Sequence, residues 1–341
     1  MSVFSDRVTT TTNVKIMPKI VDTVLNSNVL TMSALARAKK WSGDQQKFPI
    51  KYTNGVSGGS FTGMDTFSTA ASTSRTLLAF DPKFYEKSIV LPQTELDVNN
   101  TSEKVMDLIA SECALRTEEM ADEIGTIFYS DGTGNSSKDF LGIKAIVDDG
   151  TTAATYGGLA RATYTTLNST VTASGGTLTL AKMDTLHDAI TSGSQKPTLG
   201  VTTKAVWSFY SQLLSPMLRI NNSNGLPGGI KGGAGFTGVE YRGIKIVADE
   251  KCTTGVLFLL NEDYLDFYAL PSKKNKPIDY NPSDVEGNDY DASSVKGLGF
   301  SWSGWLVPTN AYAIIGHVIL GGQLCSANPK RHGKLTGITG I

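Results

Sequence analysis

The stretch from Thr53 to Thr76 constrains the fold more than any other part of the sequence. It reads TNGVSGGSFTGMDTFSTAASTSRT, and its large apolar side chains Phe61, Met64 and Phe67 follow neither a helical nor a strand period. Structureless segments longer than about 12–15 residues are uncommon inside compact domains unless they are functional. Three scattered apolar side chains bury too little area in their own chain to offset the entropy of ordering the segment. We therefore expect the segment to order against another subunit.

Extended strands are predicted on both sides of this segment. Before it, Phe48, Ile50 and Tyr52 alternate with polar residues, which is the pattern of a half-buried strand. After it, residues Leu77 to Leu91 form a second extended stretch with apolar residues on one face of the pleat. Two strands joined by a long polar tip make an extended hairpin.

A long helix is predicted from Thr101 to Tyr129. Asn100 can cap it, with Glu103 completing a capping-box pattern, and an apolar stripe follows at helical spacing as far as Phe128. The opposite face is acidic, with Glu118, Glu119, Asp122 and Glu123. Like charges at i,i+4 cost a few tenths of a kcal/mol each unless cations lie opposite. A neighbouring chain could supply those cations.

The rest of the chain alternates between helices and strands and then becomes strand-rich. Between Leu180 and Leu270 the pattern predicts a compact α/β domain, from which a glycine-rich loop, Asn221 to Gly238, projects. Strands follow at Tyr264 to Leu270, Phe300 to Val307 and Ala311 to Leu320, and a charged loop lies between the first two.

Composition excludes several classes of protein. The chain has 341 residues with 31 Lys and Arg against 32 Asp and Glu, and no polybasic block suited to tracking a phosphate backbone. The cysteines Cys113, Cys252 and Cys325 form no CxxC pair, so neither a disulfide framework nor a zinc site is indicated. The start lacks a signal-peptide pattern, and the longest apolar run is far shorter than a membrane span. We expect a soluble cytosolic product with no membrane association.

No catalytic or cofactor motif is present. His187, His317 and His332 are too far apart in sequence for a local metal motif, and neither HExxH nor GxSxG occurs. The glycine-rich stretches do not complete a phosphate-binding pattern. An acidic cluster lacks EF-hand spacing and is interpreted as a solvated loop, made of Asp284, Glu286, Asp289 and Asp291. We therefore expect no enzyme activity, no metal and no cofactor.

The order of these parts resembles a tailed-phage major capsid protein of the HK-ninety-seven-type fold. Three local stretches are also similar to that family: LGIKAIVDDG with TYGGLAR (Thr155 to Arg161), VEYRGIKIVADE (Val239 to Glu250) and the tail from Val307 to Ile338. The resemblance covers nearly the whole chain and depends on the order of the motifs. It implies an α+β fold with an N-terminal arm, an E-loop hairpin, a peripheral domain with a long spine helix, and an axial domain.

The resemblance also implies boundaries for these parts. They are an arm at 1–45, the E-loop hairpin at 46–92, a first peripheral part with the spine helix at 93–175, a first axial part at 176–262, peripheral strands and a charged loop at 263–306, and closing strands with a C-terminal arm at 307–341.

The implied function is that of a shell protein that assembles with itself into hexamers and pentamers of an icosahedral head around double-stranded DNA. The implied partners are other copies of the chain, a separate scaffolding protein, a portal protein and a decoration protein, with assembly in the bacterial host cytoplasm. In the family the E-loop lies across the neighbouring subunit. The candidate interface residues are therefore Lys51, Tyr52, Asn54, Phe61, Met64, Phe67, Arg75, Glu118, Glu119, Asp122 and Glu123. A loop expected at the capsomer centre contains Asn224, Gly225, Pro227 and Lys231.

Two alternatives stay open at this point. The first is an encapsulin, a bacterial compartment on the same fold that holds an enzyme cargo. The second is a β-rich adhesin or carbohydrate-binding module, suggested by the composition rich in threonine and glycine. An enzyme with a site assembled from distant residues is a more remote third, because fold alone does not fix function.

Overall fold

The structure is a computed structural model that describes residues 28–55, 59–67, 71, 73–99, 108–173, 175–221, 239–270, 276–277, 300–302 and 305–339. Five helices of seven residues or more lie in these ranges: Val29–Ala36, Gln93–Asn99, Leu108–Phe128 (the spine helix), Leu180–Ile190 and Lys204–Asn221. Two four-residue helical turns add to them, Gly134–Ser137 and Ile143–Ile146.

The strands are, in chain order, β1 Lys39–Lys40, β2 Gln46–Lys51, β3 Arg75–Phe80, β4 Lys83–Pro92, β5 Thr155–Tyr156, β6 Leu159–Ala160, β7 Thr170–Thr172, β8 Leu199–Thr202, β9 Val239–Tyr241, β10 Ile244–Ala248, β11 Leu257–Leu260, β12 Leu265–Ala269, β13 Lys276–Pro277, β14 Phe300–Trp302, β15 Ala313–Ser326 and β16 Gly333–Leu335. They form two six-stranded sheets and two two-stranded pairs.

The first six-stranded sheet, called here the long-strand sheet, is built around β15. Its order is β1-β12-β15-β14-β13, and β4 pairs with β15 antiparallel over ten residues. The spine helix packs on one face of this sheet. It buries Met120, Ile124 and Phe128 completely, and Phe128 lies 5.6 Å from Phe267 between ring centroids. The described part of the predicted apolar stripe, from Met120 to Phe128, therefore packs between helix and sheet.

The second six-stranded sheet, called here the mixed sheet, has the order β7-β16-β11-β8-β10-β9 with both parallel and antiparallel pairs. Helix Leu180–Ile190 buries Met183, Leu186, His187 and Ile190. Helix Lys204–Asn221 buries Val206 and Tyr210 in the same cluster. The sequence predicted an α/β unit between Leu180 and Leu270, but the mixed sheet also includes β7 and β16 from outside that range, and β12 within it belongs to the long-strand sheet.

A buried charged network joins β16 of the mixed sheet to the segment that follows the spine helix. Lys334 Nζ lies 3.1 Å from Asp148 Oδ1, and Asp148 also accepts backbone N–H bonds from Gly150, Thr152 and Ala153. Burial alone would raise the pKa of Asp148, but these donors and Lys334 lower it to about 2. Arg161 is buried beside them, and its guanidinium donates to the carbonyl oxygens of Ala145, Ile146, Asp148 and Leu167.

Three of the predicted strands differ from the strands in the structure. The extended stretch predicted from Leu77 to Leu91 is two strands, β3 and β4, in different sheets. Buried positions are even-numbered at Leu78 and Phe80 but odd-numbered at Ile89 and Leu91, so one continuous pleat cannot bury them all. The last predicted strand extends to Ser326. Of the predicted strand Phe300 to Val307, Phe300–Trp302 is β14 and Leu306 forms an isolated bridge with Ile315, while residues 303–304 lie outside the described ranges.

Candidate subunit interface

The hairpin that carries the Gly/Ser/Thr-rich segment has a regular stem. Strands β2 and β3 pair antiparallel in a register that places Lys51 opposite Arg75. One residue beyond, the Tyr52 N–H donates to the Ser74 carbonyl at 3.1 Å, and the Tyr52 hydroxyl donates to the Thr73 carbonyl at 2.8 Å. The stem therefore continues to the first residues of the predicted loop.

The stem is anchored to the body of the chain. The Ala79 N–H donates to the Gly157 carbonyl at 3.0 Å. Gly157 has a φ of +55°, and a Cβ at this position would lie 2.8 Å from the Leu78 side chain, so the backbone here requires glycine. The rings of Tyr52 and Tyr164 lie edge to face at 5.0 Å between centroids. These contacts fix the position at which the hairpin leaves the body of the chain.

Beyond the stem, the paired rings of Phe61 and Phe67 and the Met64 side chain between them in sequence are called here the knob. The Phe61 and Phe67 rings lie edge to face at 5.0 Å between centroids, and the Thr62 N–H donates to Asp65 Oδ2 at 2.8 Å. Exposure is 63% for Phe61, 100% for Met64 and 69% for Phe67. Burial of side chains of this size is worth about 1.5–3 kcal/mol each. The knob is thus an ordered apolar surface that its own chain does not cover.

The stem carries uncompensated positive charge. Lys51 and Arg75 are exposed and directly opposite each other, an arrangement that is unfavourable for like charges in an antiparallel pair. Within the ranges that the structure describes, neither residue forms an ion pair. A carboxylate from outside this chain would relieve the repulsion. Asn54 is also exposed, next to this pair.

The acidic residues of the spine helix have a different environment from the one that we expected. Lys87 of β4 lies 2.6 Å from Glu123 Oε1 and 3.4 Å from Glu119 Oε2, and Arg116 also pairs with Glu119 at 2.8 Å. A hydrogen bond from Arg116 is the main reason that the pKa of Glu119 is lowered. Their cations thus come from the same chain.

Asp122 and Glu118 complete this acidic face. Lys251, which follows β10, lies 2.6 Å from Asp122 Oδ2. Glu118 is exposed, and none of the cations in the described part of the chain lies within ion-pair distance of it. Of the four acidic residues, Glu118 is therefore the one whose charge is open to a neighbour.

Two predicted clusters cannot be placed. The loop with Asn224, Gly225, Pro227 and Lys231 lies outside the described residues, as does the acidic cluster from Asp284 to Asp291. Among the residues that are described, no group of His, Cys, Asp and Glu side chains is arranged to hold a metal ion. In the same ranges no helix is both long and apolar enough to cross a membrane.

A cleft of about 340 Å³ lies at the base of the hairpin, and sequence reasoning did not find it. Its lining includes Asp81, Lys83 and Asp139. Asp81 accepts a hydrogen bond from Gln45, and Lys83 donates to the Ser137 carbonyl at 2.6 Å. Two of its three charged side chains therefore hold loops in place.

A serine and a histidine also lie close together, but away from solvent. Ser326 Oγ lies 2.8 Å from His332 Nε2, and both residues are completely buried. The Asn261 N–H donates to His332 Nδ1 at 3.1 Å, so the ring is neutral and Nε2 carries the proton. Burial lowers the pKa of His332 to about 3. This pair stabilises the junction of β15 and β16 and cannot meet a substrate in this fold.

Comparison with known proteins gives no match by sequence: no protein-family model and no curated protein matches the chain. Comparison with solved structures does find similar proteins. The capsid asymmetric unit of cyanophage A-1(L) matches with a TM-score of 0.72 at 16% identity, over 98% of this chain and all of that one. The capsid of the native GTA particle matches with a TM-score of 0.63 at 10% identity, over 99% of this chain and 100% of that one.

A third similar structure is of a different kind. The SrpI encapsulin from Synechococcus elongatus, in its holo complex, matches with a TM-score of 0.56 at 11% identity, over 99% of this chain and 96% of that one. At these identities the likeness establishes the fold, and it does so over nearly the whole chain. The chain has the HK-ninety-seven-type fold of tailed-phage major capsid proteins, as the order of its sequence motifs predicted. The similar structures do not support the β-rich binding module.

Proposed function

We propose that this protein is the major capsid protein of a tailed double-stranded DNA phage and builds an icosahedral head from hexamers and pentamers. The observation that carries the proposal is the knob, an ordered apolar surface at the end of a projecting hairpin, in a chain that matches a phage capsid structure over 98% of its length. An isolated subunit exposes this surface to water, whereas an assembled shell would cover it.

The parts of the fold take the following roles in this proposal. The long-strand sheet with the spine helix corresponds to the peripheral domain, and the mixed sheet with its two helices corresponds to the axial domain. Residues 53–73 form the E-loop, and Lys51, Arg75 and Glu118 are charged residues that face neighbouring subunits. The loop around Asn224 and Lys231 lies at the capsomer centre. Scaffolding, portal and decoration proteins are the expected partners, with assembly in the cytoplasm of the bacterial host.

The mechanism is geometric and needs no catalytic step. The buried network of Asp148, Arg161 and Lys334 keeps the mixed sheet fixed to the segment after the spine helix. The hairpin projects from this rigid body and contacts the next subunit.

An encapsulin-type compartment is the second candidate, because an encapsulin structure is among those that match. The contents of the particles distinguish the two functions. Electron microscopy of the full chain, expressed alone and with a candidate scaffolding protein, tests whether closed shells form at all. A gene neighbourhood with terminase, portal and tail genes supports the phage head. A neighbouring peroxidase or ferritin-like gene, with its product packaged inside the shells, supports the compartment.

A further inference from the structure

One face of the hairpin stem is cationic with an apolar centre. Its exposed positions are Lys47, Pro49 and Lys51 in β2 and Arg75 and Leu77 in β3. The register places Pro49 opposite Leu77 and Lys51 opposite Arg75, and residues opposite each other in a sheet point to the same face. These five residues are called here the stem face.

The stem face points away from the body of the chain. The other face of the stem packs on that body, where the rings of Phe48 and Tyr268 lie 5.5 Å apart between centroids and Leu78 is completely buried. On the stem face Leu77 is 53% exposed. None of its three cations has an ion-pair partner within the described ranges. The stem face is therefore an uncovered surface whose charge calls for an acidic partner.

The sequence between β13 and β14 has the complementary composition. Residues 278–295 read IDYNPSDVEGNDYDASSV, with five Asp or Glu residues and no Lys or Arg. Ile278, Tyr280, Val285 and Tyr290 stand directly beside these acids in the sequence. The stretch lies outside the described ranges and is called here the acidic segment. It combines negative charge with apolar side chains, as a partner for the stem face requires.

The described strands on both sides of the acidic segment place its two ends close together. β13 and β14 pair antiparallel, with Pro277 opposite Ser301. β14 in turn pairs with β15, with Phe300 opposite Leu320. The chain thus leaves the long-strand sheet and returns to it at the same place.

The base of the stem lies beside that place. Ala269 of β12 is opposite Gly322 of β15, two residues and about 7 Å along β15 from Leu320. The Trp41 N–H donates to the Ala269 carbonyl at 2.8 Å, and β2 begins five residues later at Gln46. The acidic segment and the stem therefore start from neighbouring points of one sheet.

The length of the acidic segment suits the stem face. A closed loop of the 22 residues 278–299 can extend about 36 Å at its midpoint, whereas a six-residue strand is about 20 Å long. Its acids include two pairs at i,i+2, Asp284 with Glu286 and Asp289 with Asp291. The centres of these pairs can lie up to about 17 Å apart, and Lys47 and Lys51 are about 13 Å apart along β2. The two pairs can thus reach both ends of the stem face.

We propose that the acidic segment binds the stem face of its own chain in the unassembled subunit. Its carboxylates pair with Lys47, Lys51 and Arg75, and its apolar side chains cover Pro49 and Leu77. The same chain is the source because a segment tethered beside the stem has a far higher local concentration than a second copy in solution. Bound there, the segment neutralises the stem, and a neighbouring subunit must displace it to reach Lys51 and Arg75.

Carbodiimide coupling of the full chain tests this contact. The reagent joins a lysine amine to a neighbouring carboxylate as an amide, and it takes up the water that is lost to become a urea. In the unassembled subunit we expect Lys47 and Lys51 to couple to carboxylates of residues 278–295, as mapped by mass spectrometry. Coupling in a mixture of isotope-labelled and unlabelled subunits identifies the products that form within one chain.

Lys245 of the mixed sheet is the control for the coupling. It is exposed and lies opposite the exposed Glu240 in the register of β9 and β10, so it should couple to Glu240 and not to the acidic segment. Stem lysines that couple to the segment only between two copies, or that do not couple to it while Lys245 reacts with Glu240, would refute the inference. The measurement uses unassembled subunits, so a failure to form shells would overturn the proposed function without deciding this contact.

A variant with a neutral segment gives a second test. It carries Asp284→Asn, Glu286→Gln, Asp289→Asn and Asp291→Asn, and the rate at which a water-soluble acylating reagent modifies each lysine is followed by mass spectrometry. Release of the amines should raise the rates at Lys47 and Lys51 about two- to fivefold, as expected for the loss of an exposed ion pair. The rate at Lys245 should stay the same. Unchanged rates at both stem lysines would contradict the proposal.

Discussion

Gly125 of the spine helix lies directly against Asn28, so closely that a Cβ at position 125 would be 2.6 Å from Asn28 Nδ2. The Asn28 amide donates to the Ala121 carbonyl at 3.3 Å, and the Leu30 N–H donates to the buried Asp249 carboxylate at 3.2 Å. These contacts fix the start of helix Val29–Ala36 on the spine helix. The position of this helix start on the spine helix therefore depends on one glycine.

Gly125→Ala is expected to destabilise the subunit. Overpacking of this kind typically costs about 1–3 kcal/mol, which outweighs the gain of up to about 1 kcal/mol from the higher helix propensity of alanine. Thermal unfolding of the unassembled subunit measures the effect. Gly59→Ala, where a Cβ would meet nothing within 4 Å, is the control. A second substitution, Asn28→Gly, should restore part of the loss, and stability at or above wild type in Gly125→Ala alone would refute the packing argument.

Arg161→Met is expected to lower the free energy of unfolding by about 3 kcal/mol or more, because it leaves buried carbonyl oxygens without donors. Arg161 is 1% exposed and donates to four carbonyl groups. Arg161→Lys should recover only part of the loss, since an ammonium lacks the planar fork of the guanidinium. Arg75→Met, at an exposed position, should change subunit stability by no more than about 0.5 kcal/mol. Denaturant unfolding measures all three, and a neutral Arg161→Met would contradict the network.

Subunit stability is expected to decrease in mild acid. The pKa of His332 is about 3 in the folded chain against 6.5 for a free side chain. Between these values the unfolded chain binds a proton that the folded chain does not, so stability falls as the pH drops through this window, by up to about 1.4 kcal/mol per pH unit. Asp148, whose pKa is lowered to about 2, adds a further loss below about pH 4.

Denaturant unfolding at a series of pH values between 7 and 4 measures this slope. His332→Gln should lower stability at pH 7 but flatten the slope between pH 6.5 and 4.5. A slope in the variant equal to that of the natural sequence would show that another group is responsible.

Arg75→Glu separates assembly from subunit stability. In the isolated subunit the substitution turns the repulsive pair with Lys51 into an attractive one, worth about 0.2–1 kcal/mol, so the melting temperature should not fall. The substitution removes the net positive charge of the stem, so the yield of assembled particles should drop. The drop should be largest at low salt, where charge interactions are least screened. Sedimentation measures the yield. Equal yields at low salt would argue against an acidic partner for the stem.

Hydrophobic periodicity predicted the spine helix, the helices after Leu180 and the longer strands such as β2, β12 and β15, because each depends on local spacing. It did not predict helices Val29–Ala36 and Gln93–Asn99 or the short strands β1, β5 and β6. The sequence also contained the signal for the break between β3 and β4, because the apolar positions change from even-numbered at Phe80 to odd-numbered at Ile89. The prediction nevertheless treated the stretch as one strand. The ion pairs that the spine helix makes with Lys87 and Lys251 could not be predicted, since these lysines reach Glu123 and Asp122 only through the tertiary fold. The contact between Phe61 and Phe67 depends on a turn centred on Gly63, which periodicity does not reveal.

The most direct test of the capsid function is electron microscopy of the full chain beside a variant without the loop. In the variant an Asn-Gly turn replaces residues 53–73, which closes the stem between Tyr52 and Ser74 with a two-residue hairpin loop. We predict closed shells or capsomers from the natural chain, with scaffolding protein if required, and folded, unassembled subunits of unchanged melting temperature from the variant. A natural chain that remains monomeric with scaffolding protein present, or a variant that assembles equally well, would contradict the proposed role of the hairpin in building a shell.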